Sequence, residues 1–186
     1  MLFMGNREDL LTGAVKCLKE KGWARTTVRD IAAAAGVSHA AIGYHFGSRE
    51  ALLIEVIRTV EEQQRAALAQ MLEAEADAPP QEVMRRMWAR VADPALWPNE
   101  RLFFEVYAQA LQGSPHALPL LDGIVDAWVE PLARLMAPER PPAEARAEAR
   151  LGVAVVRGLL LDLLATGDRE AVDAAMERFI AAVAPD

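Results

Sequence analysis

The chain is poor in cysteine and histidine, the residues on which disulfide frameworks and many metal sites depend. One cysteine, Cys17, and three histidines occur among its 186 residues. A single cysteine excludes an intrachain disulfide and suits a reducing compartment. Uninterrupted apolar runs are also too short to cross a bilayer. These absences predict a soluble, cytoplasmic protein that has no membrane partner.

Sequence motifs of catalysis and cofactor binding are missing as well. The sequence contains no nucleophile elbow, no phosphate-binding loop and no dinucleotide fingerprint. None of His39, His45 and His116 stands at metal-ligand spacing from a cysteine or an acidic residue. We therefore expect no enzymatic activity, no metal and no cofactor.

Acidic residues outnumber basic residues overall, but the two kinds are unevenly distributed along the chain. The net charge is −7, which by itself argues against a nucleic-acid partner. Residues 1–58 nevertheless carry eight Lys/Arg against six Asp/Glu, whereas residues 59–186 carry twelve against twenty-one. This asymmetry indicates that only the N-terminal part of the chain meets phosphate.

Residues 26–53 carry the most specific pattern in the chain. Thr27 and Asp30 have the spacing of a capping box, which begins a helix by satisfying its free amide groups. Gly36 can adopt the left-handed conformation that ends a helix, and Ser38 can cap a second helix. The pattern predicts two short helices at a sharp angle, followed from about Arg49 by a long helix. This is the arrangement of a helix-turn-helix DNA reader.

Fixed spacings over the first third of the chain make this pattern specific. The matching residues are Thr27, Asp30-Ile31-Ala32, Ala35-Gly36-Val37-Ser38, Tyr44-His45-Phe46 and Ser48-Arg49-Glu50-Ala51-Leu52. On these residues the chain resembles the TetR family of bacterial transcriptional regulators. The resemblance implies an all-α fold, with an N-terminal three-helix helix-turn-helix domain and a C-terminal helical-bundle domain for ligand binding and dimerisation.

The domain boundary is expected at residue 48. A helix predicted over residues 49–76 carries an apolar stripe beyond the length that a DNA-binding module needs. We therefore assign residues 1–48 to a DNA-binding domain and residues 49–186 to a ligand-binding and dimerisation domain, linked through this helix. Further helices follow, including one predicted over residues 117–136, and no alternating strand pattern is found.

Eight residues near helix starts or on the outward face of the second short helix are candidates for DNA contact: Thr27, Arg29, Ser38, His39, Ala40, Ala41, Tyr44 and Arg49. Hydroxyl, imidazole and guanidinium groups bind phosphates or base edges, and alanines allow close approach. Arg25 is a further candidate, and for Arg25 and Arg29 a solvated surface charge is an equal alternative. Family members usually carry Tyr where this chain has Gly43, so the phosphate contact given to that tyrosine lacks a counterpart here.

The downstream helices contain an aromatic and thioether-rich set, joined by two charged residues inside an apolar helix: Met84, Met87, Trp88, Phe103, Phe104, Tyr107, Trp128, Arg157 and Asp162. Methionine and aromatic side chains commonly line ligand clefts, and a buried charge needs a partner. The family resemblance implies a pocket, so we expect a hydrophobic small-molecule effector to bind here. The alternative is core packing with a structural ion pair.

The last two predicted helices carry broad apolar faces. The first is apolar on nearly every side between residues 153 and 164, so it must be covered all round, and a second copy of the chain is the natural cover. We predict a four-helix homodimer interface that contains Val155, Leu159, Leu163, Val172, Met176 and Phe179. The resemblance implies the same arrangement, and the alternative is that these faces pack only inside one chain.

Together these features predict a function in gene regulation. We expect a sequence-specific DNA-binding regulator, a ligand-responsive repressor that binds a palindromic double-stranded operator as a homodimer. The alternative is an interaction or sensor protein with only weak DNA contacts.

Overall fold

The structure, a computed structural model, describes residues 7–21, 26–74, 78–136, 138 and 140–183. Within these ranges the regular structure is helical, as the sequence predicts. Its α-helices are α1 (Arg7–Lys21), α2 (Val28–Ala35), α3 (His39–Phe46), α4 (Arg49–Ala74), α5 (Pro80–Val91), α6 (Trp97–Leu111), α7 (Asp126–Met136), α8 (Pro142–Thr166) and α9 (Arg169–Val183). No described helix is long and apolar enough to cross a membrane.

Local chemistry sets many of the helix ends. Proline occupies the first position of both α5 and α8, where its missing amide hydrogen costs nothing. α8 ends at Gly167, which has a φ of 73°, and the Asp168 carboxylate accepts from the Ala171 amide at the start of α9. The helix predicted over residues 117–136 is interrupted. A short 3₁₀ helix, Leu118–Leu121, is followed by Gly123 with a φ of 69°, and α7 begins only at Asp126.

The chain divides into two compact units, and the division differs from the boundary expected at residue 48. The first unit comprises residues 1–64 and 98–122, and the second comprises residues 65–97 and 123–186. The division therefore falls inside α4, and α6 belongs to the first unit except for its first residue. A functional boundary at residue 48 stays a prediction.

The first unit contains α1, α2, α3, the N-terminal part of α4 and α6. In it α1 packs against α2, and α2 packs against α3. Its fully buried side chains include Leu10, Ile31, Ile42, Leu52 and Val106, drawn from each of these five helices. This apolar core holds the helix-turn-helix corner in place.

The second unit contains α5, α7, α8 and α9. One core cluster joins α5 to α8 and α9 around Trp88, and another joins α7 to α8 around Val129. The Trp88 indole donates to Asp173 Oδ1 at 2.5 Å, and Arg169 Nε donates to both oxygens of the same carboxylate. Arg169 also donates to the Ala92 carbonyl oxygen at 3.0 Å. These bonds fix the end of α5 to the start of α9.

Candidate nucleic-acid interface

The predicted capping box at the start of α2 is confirmed. The Asp30 amide donates to Thr27 Oγ1 at 3.2 Å, and the Thr27 amide donates to Asp30 Oδ2 at 2.8 Å. The two residues thereby satisfy backbone donors that the first turn of a helix leaves free. The start of α2 is consequently fixed by its own sequence.

A lysine reinforces this cap. Lys21 Nζ donates to Asp30 Oδ1 at 2.6 Å and links the end of α1 to α2. The hydrogen bond from Lys21, followed by those from Thr27, holds the pKa of the Asp30 carboxyl well below its ordinary value. The same bond to Asp30 raises the pKa of Lys21. Asp30 is therefore an anion at neutral pH, and its charge also suits the positive end of the α2 dipole.

The turn between α2 and α3 follows the predicted glycine geometry. Gly36 has a φ of 68°, in the left-handed region that glycine adopts without strain, and the Val37 amide donates to the Ala32 carbonyl oxygen at 2.9 Å. Ser38 Oγ then accepts from the Ala41 amide at 3.3 Å and caps α3. The predicted helix, tight turn and helix are thus present.

Contacts distant in the sequence fix this corner on α1 and α4. A Cβ atom placed on Gly13 would lie 2.6 Å from the Ala35 Cβ, so α1 and α2 approach too closely for any side chain at that position. The Arg7 guanidinium lies over the Phe46 ring, 5.2 Å from its centroid, and pairs with Glu55. Sequence reasoning missed Gly13, because nothing near it in sequence signals a partner 22 residues away.

The outward face of α3 is formed by His39, Ala40, Gly43 and Tyr44. All four are exposed, and Tyr44 keeps 76% of its surface accessible. On the opposite face the apolar side chains of α3 pack into the core of the first unit. The helix therefore exposes two long polar side chains, and between them lie Ala40 and Gly43, whose side chains are a methyl group and a hydrogen atom.

The eight candidate DNA-contact residues differ in exposure, since five are exposed, two are half-buried and one is buried. Five are exposed, and these are Thr27, Arg29, His39, Ala40 and Tyr44. Ser38 and Arg49 are half-buried, and Arg49 Nη2 donates to the Thr26 carbonyl oxygen at 2.9 Å, which ties α4 to the start of α2. Arg25 lies outside the described residues.

Ala41 requires a correction. It is completely buried, together with Ile42, because these positions face the core when Ala40 and Tyr44 face outward. A base contact by the Ala41 methyl group, as expected from the sequence, is therefore incompatible with its position.

The exposed set has the chemistry of nucleic-acid recognition. The His39 imidazole and the Tyr44 phenol can hydrogen-bond to base edges and phosphate oxygens, and Arg29 adds an exposed positive charge. The Thr27 hydroxyl donates instead to Asp30 Oδ2. Among the described residues, no group of three or more His, Cys, Asp or Glu side chains could hold a metal ion.

The nine candidate ligand-contact residues are divided between the two units. Phe103, Phe104 and Tyr107 belong to the first unit, where the Phe103 and Tyr107 rings stack with centroids 5.3 Å apart. The remaining six belong to the second unit. Trp88 is buried in the core there, and Met84 packs against the same cluster.

The two charged members of that set do not form the ion pair that belonged to the alternative of core packing. Asp162 is exposed on α8, whereas Arg157 is half-buried and donates to the Ile124 carbonyl oxygen at 3.2 Å. Met87 and Trp128 are half-buried, and the Arg65 guanidinium lies 5.8 Å from the centroid of the Trp128 ring. Arg157 and Trp128 thus make contacts within their own unit, and a ligand contact by this set stays a prediction.

A narrow cleft in the first unit is lined by α1, α4 and α6. Its walls combine apolar side chains with two buried carboxylates, Glu61 and Glu100, each only 5% exposed. Gln64 Nε2 donates to Glu100 Oε1 at 2.7 Å. About 10 Å³ of the cleft is accessible to the centre of a water molecule, so the cleft can hold roughly one water molecule. Phe103 is the member of the predicted ligand set that lines it.

The six residues predicted for a dimer interface differ in how deeply they are buried in their own chain. Leu163, Val172 and Met176 are almost completely buried in the cluster around Trp88, and Val155, Leu159 and Phe179 pack against it. The first three residues cannot touch a second copy without unfolding of this core. Val155, Leu159 and Phe179 are half-buried, and a dimer interface that contains them stays a prediction.

A different face of α8 is exposed and apolar. It consists of Ala147, Leu151, Ala154, Gly158, Leu161 and Ala165, which follow one another at alternating intervals of four and three residues. We call these six residues the α8 stripe. Leu151 and Leu161 keep 51% and 52% of their surface accessible. On α9, Ala171, Ala175 and Ala182 are likewise exposed.

Comparison with known proteins relates the corner to DNA-binding regulators. Residues 10–56 match the family model described as bacterial regulatory proteins of the tetR family. The HTH-type transcriptional repressor KstR2 of Rhodococcus jostii is 43% identical over 54 residues, which are 29% of this chain and 26% of that repressor. The chain thus matches about a quarter of the length of this curated relative.

Solved structures are similar over nearly the whole fold. A transcriptional regulator from Rhodococcus sp. Rha1 matches with a TM-score of 0.76 and 22% identity, over 96% of each chain. A transcriptional regulator from Saccharomonospora viridis in complex with choline matches with a TM-score of 0.69 and 22% identity, over 94% of this chain and 92% of that chain. At these identities the likeness concerns the fold alone.

Proposed function

We propose that the chain is a sequence-specific DNA-binding transcriptional regulator of the TetR family, since residues 10–56 match the model of that family. It represses its target genes as a homodimer until a small molecule releases it from the operator. The observation that carries this proposal is the outward face of α3, a helix that is capped at both ends and exposes His39 and Tyr44.

The corner binds DNA by placing α3 in the major groove. His39 and Tyr44 then reach base edges or phosphates, and Ala40 allows a close approach. Arg29 lies exposed in the first turn of α2, where its guanidinium suits the phosphate backbone, whereas the Thr27 hydroxyl and amide both donate to Asp30. Arg49 acts differently from the sequence-based expectation, since its bond to the Thr26 carbonyl oxygen orients α2 relative to α4.

Two copies associate through the α8 stripe and the exposed alanines of α9. Intervals of four and three residues are the spacing with which two helices pack side by side. Exposed leucines at Leu151 and Leu161 gain from burial, while Gly158 allows the two backbones to come close. A two-fold dimer presents its two α3 helices to half-sites about 34–36 Å apart, or a multiple of this distance.

The effector must bind the DNA-incompetent form more tightly than the competent one, because equal affinity shifts no equilibrium. The regulator from Saccharomonospora viridis was solved with choline, which supports small-molecule binding by this fold. A hydrophobic effector is larger than the cleft between α1, α4 and α6, so its entry there requires these helices to separate. Because α1 packs against α2, their separation would disturb the DNA-binding corner.

Selection from a library of random DNA duplexes tests the proposed function. The purified protein should enrich a pseudo-palindrome and bind it with an affinity that falls steeply with salt, by a slope of about −0.9 per phosphate contact on a double-logarithmic plot. Enrichment of no sequence, with only weak and uniform binding, would instead favour a sensor or interaction protein with weak DNA contacts.

Choline chloride and a panel of hydrophobic compounds then test the response to ligands. A true effector raises the melting temperature of the protein and lowers its affinity for the selected duplex. Linkage requires that the duplex lower the affinity for the effector by the same factor. If no compound changes either quantity, the protein is a constitutive DNA binder.

A further inference from the structure

Arg7, the first residue of α1, contacts two other helices of the first unit. Its guanidinium lies over the ring of Phe46, the last residue of α3, 5.2 Å from the ring centroid. The same guanidinium forms an ion pair with Glu55, in the N-terminal part of α4. One side chain therefore joins the start of α1 to the end of α3 and to α4.

The end of α3 is the point at which contacts with other helices can set its direction. Phe46 is half-buried, Gly47 follows with a φ of 76°, and α4 begins at Arg49. The eight residues of α3 make a helix only about 12 Å long. A small displacement of the Phe46 ring consequently tilts the whole helix, including the exposed face that carries His39 and Tyr44.

A direct contact with DNA is the other role that a basic residue of this region could have. Arginines of DNA-binding domains commonly bind phosphate oxygens. The Arg7 guanidinium, however, already places its face on the Phe46 ring and its Nη2 group on the Glu55 carboxylate. Stacking on an aromatic ring and pairing with a carboxylate are contacts for which a planar guanidinium is well suited. Both of these partners belong to the chain itself.

We propose that Arg7 is a positioning residue for operator binding, which holds α3 at the angle required by the major groove and does not itself bind a phosphate. This inference rests on the DNA-binding function proposed above. The two roles of Arg7 predict opposite effects of removing the Glu55 carboxylate. Charge alone would strengthen DNA binding, because the protein loses a negative charge. Release of Arg7 from Glu55 instead lets α3 tilt and weakens binding.

The variant Glu55→Gln tests the inference in the full-length protein, and the probe is the duplex that the wild-type protein enriches from the random library. We expect the dissociation constant to rise by about three- to tenfold, the scale of an exposed ion pair and a cation–π contact together. The matched control is Glu62→Gln, the same change about two turns later on α4, at an exposed position. It should leave the affinity unchanged or slightly higher.

Variants of Arg7 separate positioning from a phosphate contact. Arg7→Gln should weaken binding about equally at every salt concentration, whereas loss of a phosphate contact would also reduce the salt slope by about 0.9. The double variant Arg7→Gln/Glu55→Gln should bind as either single variant does, because the second change removes a contact already lost. Arg7→Lys keeps the charge but lacks the planar group over Phe46, so its affinity should lie between those of the wild type and Arg7→Gln.

All these variants should melt within a few degrees of the wild type, because the Arg7 and Glu55 side chains keep 52% and 31% of their surface accessible and exposed pairs add little stability. If Arg7→Gln fails to fold, Glu55→Gln and Arg7→Lys still decide the question. Unchanged or tighter binding by Glu55→Gln overturns the inference and leaves the DNA-binding function intact, and so does a salt slope reduced by about 0.9 in Arg7→Gln. If the wild type selects no duplex, the proposed function fails and the inference fails with it.

Discussion

The outward faces of α3 and α8 differ in how clearly their residues identify them. On α3 the exposed positions hold glycine, alanine, histidine and tyrosine, whereas the buried positions include Ile42. On α8 both the buried face, with Leu160 and Leu163, and the exposed face, with Leu151 and Leu161, are apolar. In α3 the large side chains distinguish inside from outside, although alanine occupies both faces, whereas in α8 only the packing of the other helices makes the distinction.

This difference predicts the largest contrast among single variants. Leu163→Arg places an unpaired charge in the core of the second unit and should destabilise the protein by about 4 kcal/mol or more. Leu161→Arg places the same charge on the exposed α8 stripe. It should leave the unfolding free energy of the monomer within about 0.5 kcal/mol of the wild type but abolish the dimer. Denaturant titration and sedimentation measure the two effects. A stable dimer of Leu161→Arg would remove the α8 stripe from the interface.

A second variant tests the close contact that supports the α2–α3 corner. Gly13→Val forces its side chain against Ala35, where even a Cβ would lie 2.6 Å away. We expect the unfolding free energy to fall by about 1–3 kcal/mol, as in overpacked cores. The melting temperature measures this loss, and Gly152→Ala serves as the comparison because its added Cβ meets nothing within 4 Å. Equal melting temperatures for the two variants would show that α1 and α2 can move apart at little cost.

The cap of α2 should have a smaller effect. Thr27→Ala removes the side-chain oxygen that accepts from the Asp30 amide, so we expect a loss of about 1 kcal/mol. Thr27→Ser keeps that oxygen and should retain most of the stability. If chemical denaturation gives the same unfolding free energy for the alanine and serine variants, the capping box contributes little.

The smallest effect concerns pH. Folding lowers the pKa of the Asp30 carboxyl below its ordinary value of 3.8, chiefly through the hydrogen bond from Lys21. The stabilisation is consequently complete above that value and is lost as the pH falls below it, toward the folded-state pKa. Asp30→Asn should flatten the decline in melting temperature below about pH 4. High salt should weaken the effect, because both partners are exposed to solvent. If the melting temperature of the asparagine variant declined below about pH 4 as steeply as that of the wild type, the lowered pKa of Asp30 would be contradicted.

The corner could be predicted because its signals are local. The residues that cap α2 and α3, and the glycine that separates them, act within four positions of the groups they contact. Such contacts depend little on the rest of the chain. The exposure of His39, Ala40 and Tyr44 agrees with the sequence, whereas Ala41 shows that a one-residue error on a helix exchanges inside for outside.

Tertiary contacts limited the other predictions. The apolar residues of α8 indicated that the helix is covered all round, but they did not tell which side meets its own chain. Trp88 and Met176 decide this by burying the side of α8 that carries Leu163. Likewise, the aromatic residues that composition assigned to one pocket lie partly in the first unit and partly in the second.

Hydrogen exchange of backbone amides tests most directly whether the two outward faces serve two different partners. The account predicts that the selected duplex slows exchange in α2 and α3, while dilution of the protein speeds exchange in α8 and α9. Protection depends on how readily each segment opens, so both effects can be read from one set of peptides. Two results would contradict this assignment of partners. One is a duplex that slows exchange elsewhere in the protein but not in α3, and the other is an exchange rate in α8 that does not depend on protein concentration.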